Sequence, residues 1–95
     1  MKPPTVLIVD PNPQDMATHA AILEEGRYTV LQATGVAEAV AILARHRGKL
    51  VVLSELSIGG DCGHQFLKDT LKKYPFLPFI FMATSPPWWP PRTRP

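Results

Sequence analysis

A single cysteine, Cys62, in 95 residues leaves no internal disulfide to be formed. That usage fits a reducing cytosol, with Cys62 read as a small loop residue without a redox role. No run of 18 apolar residues occurs, so no membrane-spanning helix is expected. The opening Met1-Lys2-Pro3-Pro4-Thr5 lacks the apolar stretch of a secretory signal. Charge of one sign is scarce as well. Residues 1–85 hold eight Lys/Arg and eight Asp/Glu, and Arg92 and Arg94 supply the net +2. A neutral body of this kind carries no footprint for nucleic acid. The histidines His19, His46 and His64 fall on separate segments, without the spacing of a metal site, and are read as surface residues. Lys72 and Lys73 are read as a solvated helix face. No glycine lies between Asp10 and Gln14, which excludes a dinucleotide fingerprint there.

What is present is short, apolar and evenly spaced. Thr5-Val6-Leu7-Ile8-Val9 closes on Asp10, and Leu50-Val51-Val52-Leu53-Ser54 closes on Glu55. Continuous apolar runs rich in β-branched residues read as buried parallel strands. Ligands of open α/β sheets sit at the carboxyl ends of such strands, so two strand-end acids suggest one acidic pocket. Two more runs complete the strand set, Tyr28 to Ala33 and Phe79 to Ala83. Helices are expected from Gln14 to Glu25, from Thr34-Gly35 onward, and from about His64 to Tyr74. Their inner faces are read as Met16, Ala20 and Leu23; Val36, Ala39, Val40 and Leu43; and Leu67, Thr70, Leu71 and Tyr74. Gly26 is expected to cap the first helix, and Pro75 stops the third. Ser57 to Gly63 reads as a glycine-rich loop. It lacks the Gly-Lys-Ser/Thr ending of a phosphate-binding loop. Strands alternating with helices argue a three-layer α/β fold with a parallel sheet, flavodoxin-like, in the order 2-1-3-4.

The last ten residues, Pro86 to Pro95, are half proline and include Trp88, Trp89, Arg92 and Arg94. Such a stretch cannot form an α-helix or an interior strand. It is set apart as a tail beside a domain spanning residues 1–85.

The run Ser54-Glu55-Leu56-Ser57-Ile58-Gly59-Gly60-Asp61-Cys62-Gly63, with Asp10 ahead of it, resembles the receiver domain of bacterial two-component response regulators. In that family the third strand ends in a phospho-accepting Asp, and counting back from Gly63 sets Glu55 on its position. The resemblance implies a divalent cation held by the acids of strand one, the acceptor and one backbone carbonyl. Here those places fall on Asp10, Glu55 and Ser57. Pro11 stands where the family has a second acid, so Mg²⁺ binding is expected to be weak or absent, with no other cofactor. The strand-four switch hydroxyl falls on Ala83, with Thr84 next. A complete receiver adds a fourth helix, a fifth strand carrying a Lys, and a fifth helix, so a shortened receiver is implied.

Glu is one methylene longer than Asp, which displaces the attacking oxygen and makes Glu55 a poor acceptor. The implied function is therefore a non-enzymatic pseudo-receiver in phosphorelay signalling, working in the cytoplasm through protein partners. The alternatives are a receiver still phosphorylated by a histidine kinase, and an inactive fragment of a longer regulator. No nucleic acid or membrane partner is expected. Strand four would be an apolar edge, so Phe79 and Phe81, covered by Trp88 and Trp89, are expected to support a homo-oligomer.

Overall fold

The two runs that close on acids lie side by side in one sheet. The computed structural model describes residues 4–82, in the order β1 (Thr5–Val9), α1 (Pro13–Glu25), β2 (Thr29–Ala33), α2 (Val36–Arg45), β3 (Leu50–Glu55), β4 (Ser57–Ile58), β5 (Asp61–Cys62), α3 (Gly63–Lys73) and β6 (Phe79–Met82). The main sheet has the order β2-β1-β3-β6, and every pairing in it is parallel. This is the expected 2-1-3-4 order, with β6 as the fourth strand. Leu7 of β1 sits between Leu31 and Val52 of its two neighbours.

Alternation along the central strands divides the core into two layers. Leu7, Val9 and Val52 face α2 and α3, packing with Ala39, Leu43 and Phe66. Val6 and Ile8 face α1, packing with Met16 and Ala20. Leu7, Ile8, Val9 and Val52 have no exposed surface. Burying each is worth about 1.5–3 kcal/mol, which is why the central strands are apolar on both faces. Two helices cover one face and one helix the other. Ile80 of β6, on the α1 side of the sheet, stays 54% exposed.

Several boundaries and faces differ from the sequence reading. Strand two begins at Thr29 because the end of α1 runs on through Tyr28. Arg27 N–H donates to the Glu24 carbonyl (2.9 Å) and Tyr28 N–H to the Leu23 carbonyl (3.1 Å). Gly26 is the cap, but the left-handed residue is Arg27, at φ 68°. The stretch Ser57 to Gly63 is not all loop. Ser57 pairs with Cys62, and Ile58 with Asp61, around Gly59 at φ 61°. Ile58 is 1% exposed, and its burial anchors this small hairpin to the core. On α2 the buried residues are Ala39, Ile42 and Leu43, while Val40 is half-exposed. On α3 they are Gly63, Phe66 and Thr70, with Leu67 and Leu71 only partly buried. Thr70 is buried and Tyr74 packs on the core, as expected, and Phe66, one turn before Thr70, joins them. Ala83, Thr84, Trp88 and Trp89 lie outside the described residues.

Candidate functional site

Asp10 follows β1 directly and is buried, at 1% exposure. Its backbone N–H donates to the Ala33 carbonyl of β2 (3.0 Å), which holds it in line with the sheet. Its Oδ1 accepts from the Asn12 N–H (2.9 Å), tightening the turn. Asn12 then caps α1, its Oδ1 accepting from the N–H groups of Gln14 (2.9 Å) and Asp15 (3.1 Å). Pro13 at the first helical position loses no hydrogen bond, because that N–H would have no partner within the helix. The Asp10-Pro11-Asn12-Pro13 segment is thus a linked turn and cap that starts α1 immediately beside the end of β1.

That start brings α1 over the acids. Asp15 and His19, four residues apart, share one helix face. His19 Nδ1 lies 3.9 Å from Asp10 Oδ2, too far for a hydrogen bond. Neither atom has a hydrogen-bond partner, and both are shielded from solvent. The sequence reading left His19 on the surface. No spacing in the sequence signals this approach, because the Asn12 cap sets how α1 leaves the end of β1.

Glu55 comes from the neighbouring strand. Val9 pairs with Ser54, so the next step along both strands sets Glu55 beside Asp10. Strands in register point equivalent side chains the same way, and both acids lie on the α1 face. On its other side Glu55 pairs with Met82 of β6. Buried Ser54 donates its hydroxyl to the Glu55 carbonyl (2.9 Å). Burial lifts the Glu55 carboxyl above its ordinary value of 4.5, and Asp10 and Asp15 lift it further. His19 acts in the opposite sense.

The hairpin behind Glu55 is fixed by a glycine. Gly63 N–H donates to the Leu56 carbonyl at 2.7 Å. A Cβ at Gly63 would stand 2.7 Å from the Glu55 carbonyl oxygen and 2.8 Å from that of Leu56. Only glycine lets the start of α3 close on the end of β3.

The structure thus brings Asp10 and Glu55 together, as the sequence implies. It places exposed Ser57 in β4, paired with Cys62. Among the described residues no three His, Cys, Asp or Glu side chains are grouped to hold a metal ion. Asp10 Oδ2 is a free oxygen donor, yet Pro11 adds no side-chain oxygen beside it. Asp10 and Glu55 are thus the two acid side chains at these strand ends that could give oxygen to a hard cation such as Mg²⁺, which takes its remaining ligands from water. His64 is less free than expected, its ring lying 5.0 Å from that of Phe81. Exposed Cys62 precedes α3 without a capping bond from its side chain.

No protein-family model matches this chain, and no curated protein matches it. Solved structures do. The chemotaxis response regulator CheY4 of Vibrio cholerae is 26% identical with a TM-score of 0.76, over 87% of this chain and 72% of that one. The non-phosphorylated HemR receiver domain of Leptospira biflexa is 25% identical at 0.75, over 83% and 63%. The signal receiver domain of an HD domain-containing protein of Pseudomonas fluorescens Pf-5 is 22% identical at 0.81, over 92% and 63%. The parallel β2-β1-β3-β6 sheet, with acids at the ends of its two central strands, is the fold of response regulator receiver domains through their fourth parallel strand.

Proposed function

We propose that this chain is an atypical receiver domain in two-component signalling that acts by binding other proteins and accepts no phosphoryl group. The observation that carries the reading is the pairing of Glu55 with Asp10. Two acids face the same side at neighbouring strand ends, and Glu55 stands on the acceptor position of the resemblance. Asp15 lies near enough to raise Glu55, but among the described residues no third acid is grouped with the pair to hold a metal ion. Phosphoryl transfer needs an in-line nucleophile and positive charge on the phosphoryl oxygens. Glu55 carries its oxygens one methylene too far, and Pro11 takes the place of a metal-binding acid. The domain is then a docking module rather than an enzyme, with cytoplasmic protein partners that could include a histidine kinase.

A second reading, a receiver still phosphorylated by such a kinase, draws on Asp10. Its unpartnered buried Oδ2 is the one ligand that a cation would find ready. Treatment with a small acyl phosphate and Mg²⁺, followed by intact mass measurement, separates the two. The docking reading expects an unchanged mass. A gain of one phosphoryl group mapped to Glu55 establishes the second reading instead.

A further inference from the structure

Between α2 and α3 the surface opens into an apolar trough of about 200 Å³. Val36, Val40 and Leu43 form one wall, and Phe66 and Tyr74 the other. Towards the carboxyl end of the sheet it continues into a second hollow beside Asp61 and Cys62, which shares Val36, Phe66 and Asp69 with the first. Small-molecule sites typically enclose about 300–1,000 Å³ around convergent polar groups. This trough is smaller and mainly apolar, so it suits one or two large side chains. Its open end is acidic, with Asp61 and Asp69 both exposed. Lys73 also lines the trough, with its Nζ 5.9 Å from the Tyr74 ring centre.

The chain itself supplies a segment of the matching chemistry. Residues 83–95 contain Trp88, Trp89, Arg92 and Arg94 and no acidic side chain. Helices of a parallel α/β sheet run opposite to its strands, so β6 ends on the edge where α2 and α3 begin. A ladder of rings joins the two places. Phe66 lies 5.4 Å from Phe79, and Phe79 lies 5.2 Å from Phe81, next to Met82. Trp88 lies six residues beyond Met82, and an extended proline-rich stretch of that length reaches about 19 Å.

We propose that residues 83–95 dock into the α2–α3 trough of their own chain, with a Trp88 or Trp89 indole on Val36, Val40 and Phe66 and the arginines against Asp61 and Asp69. Indoles contribute large apolar area with few rotatable bonds, which suits a shallow apolar seat. Tethering raises the local concentration of the tail to the order of millimolar, so its own trough outcompetes that of a second copy in dilute solution. This inference rests on the fold alone and stands whether or not Glu55 is phosphorylated.

The test is acrylamide quenching of tryptophan fluorescence in the full chain. Trp88 and Trp89 are its only tryptophans, so the signal reports the tail directly. The parent chain is expected to show shielded indoles, unchanged over a hundredfold dilution. Val40→Lys, at a half-exposed position that the core does not need, is expected to raise quenching several-fold with the helical circular dichroism intact. Asp61→Asn with Asp69→Asn, both on the surface, is expected to raise it to a smaller degree and to remove its salt dependence. Indoles as accessible as free tryptophan in the parent would overturn the proposal. So would shielding that neither variant changes, which means docking elsewhere, or shielding lost on dilution, which means exchange with a second copy.

Discussion

Glu55 carries a charge that its surroundings disfavour, and this has a measurable consequence. The folded chain holds the Glu55 proton more tightly than the unfolded chain does. Stability from this group is therefore full below the ordinary carboxylate value of 4.5 and is lost as pH rises through the raised value. Glu55→Gln removes the ionisable group, so it should melt higher than the parent at pH 7 and lose that advantage in acid below 4.5. Melting curves at the two pH values check this, and equal midpoints at pH 7 would contradict it. Gly63 acts at the same spot through shape. A methyl group there meets two carbonyl oxygens of β3 and the following residue, neither of which is a flexible side chain. Gly63→Ala should cost about 1–3 kcal/mol in denaturant unfolding, the usual range for overpacking. At this scale the sequence was readable where a residue's place follows from counting. Asp10 and Glu55 each end an apolar run, and strand alternation sets both on one face. His19 was not readable, because its neighbour Asp10 belongs to another element and only the cap by Asn12 fixes the angle between them.

The elements obey local rules and depart from them where tertiary contacts decide. Asn12 stands between two prolines, and its side chain holds two N–H groups of α1. The end of α1 shows the opposite balance. Arg27 takes the left-handed conformation that glycine normally fills, at a steric cost of about 1–2 kcal/mol. Arg27→Gly recovers that cost and forfeits about 0.5–1 kcal/mol in unfolded-state entropy. A net gain of up to about 1 kcal/mol is expected by urea unfolding, and a loss would show that the Arg27 side chain supplies something larger. On α3 the decisive residue is Phe66, at 3% exposure, packed edge-on against Phe79 at 5.4 Å. Phe66→Ala should cost about 3–5 kcal/mol, the range for a buried aromatic, and loosen β6 along with α3. Helical periodicity alone favoured the row Leu67, Thr70, Leu71 and Tyr74. Phe66 belongs to the same stripe, four residues before Thr70 and eight before Tyr74, and its burial against Phe79 makes it the stripe's anchor.

At the scale of the whole molecule, alternation of strand and helix sufficed to give the parallel order, because right-handed crossovers leave few other arrangements. How completely the faces are covered could not be read so directly. Among the described residues β6 pairs only with β3, and exposed Ile80 lies on the face that α1 alone covers. Phe79 and Phe81, expected to be sticky at the edge, turn instead towards the rings of Phe66 and His64. The assembly we propose is pairing of β6 with a second copy, with Ile80 at its centre. Sedimentation at micromolar concentration should then give a species above 10.5 kDa, and Ile80→Lys should return it to that mass. A parent chain that sediments as a monomer would contradict the pairing. The central claim is that a receiver fold is kept here while its phosphoryl chemistry is not. Titration of this chain with beryllofluoride and Mg²⁺, followed through backbone amide signals, tests the claim most directly. The account predicts that the amides of Asp10, Glu55 and Leu56 stay in place, and saturable shifts at those three residues would contradict it.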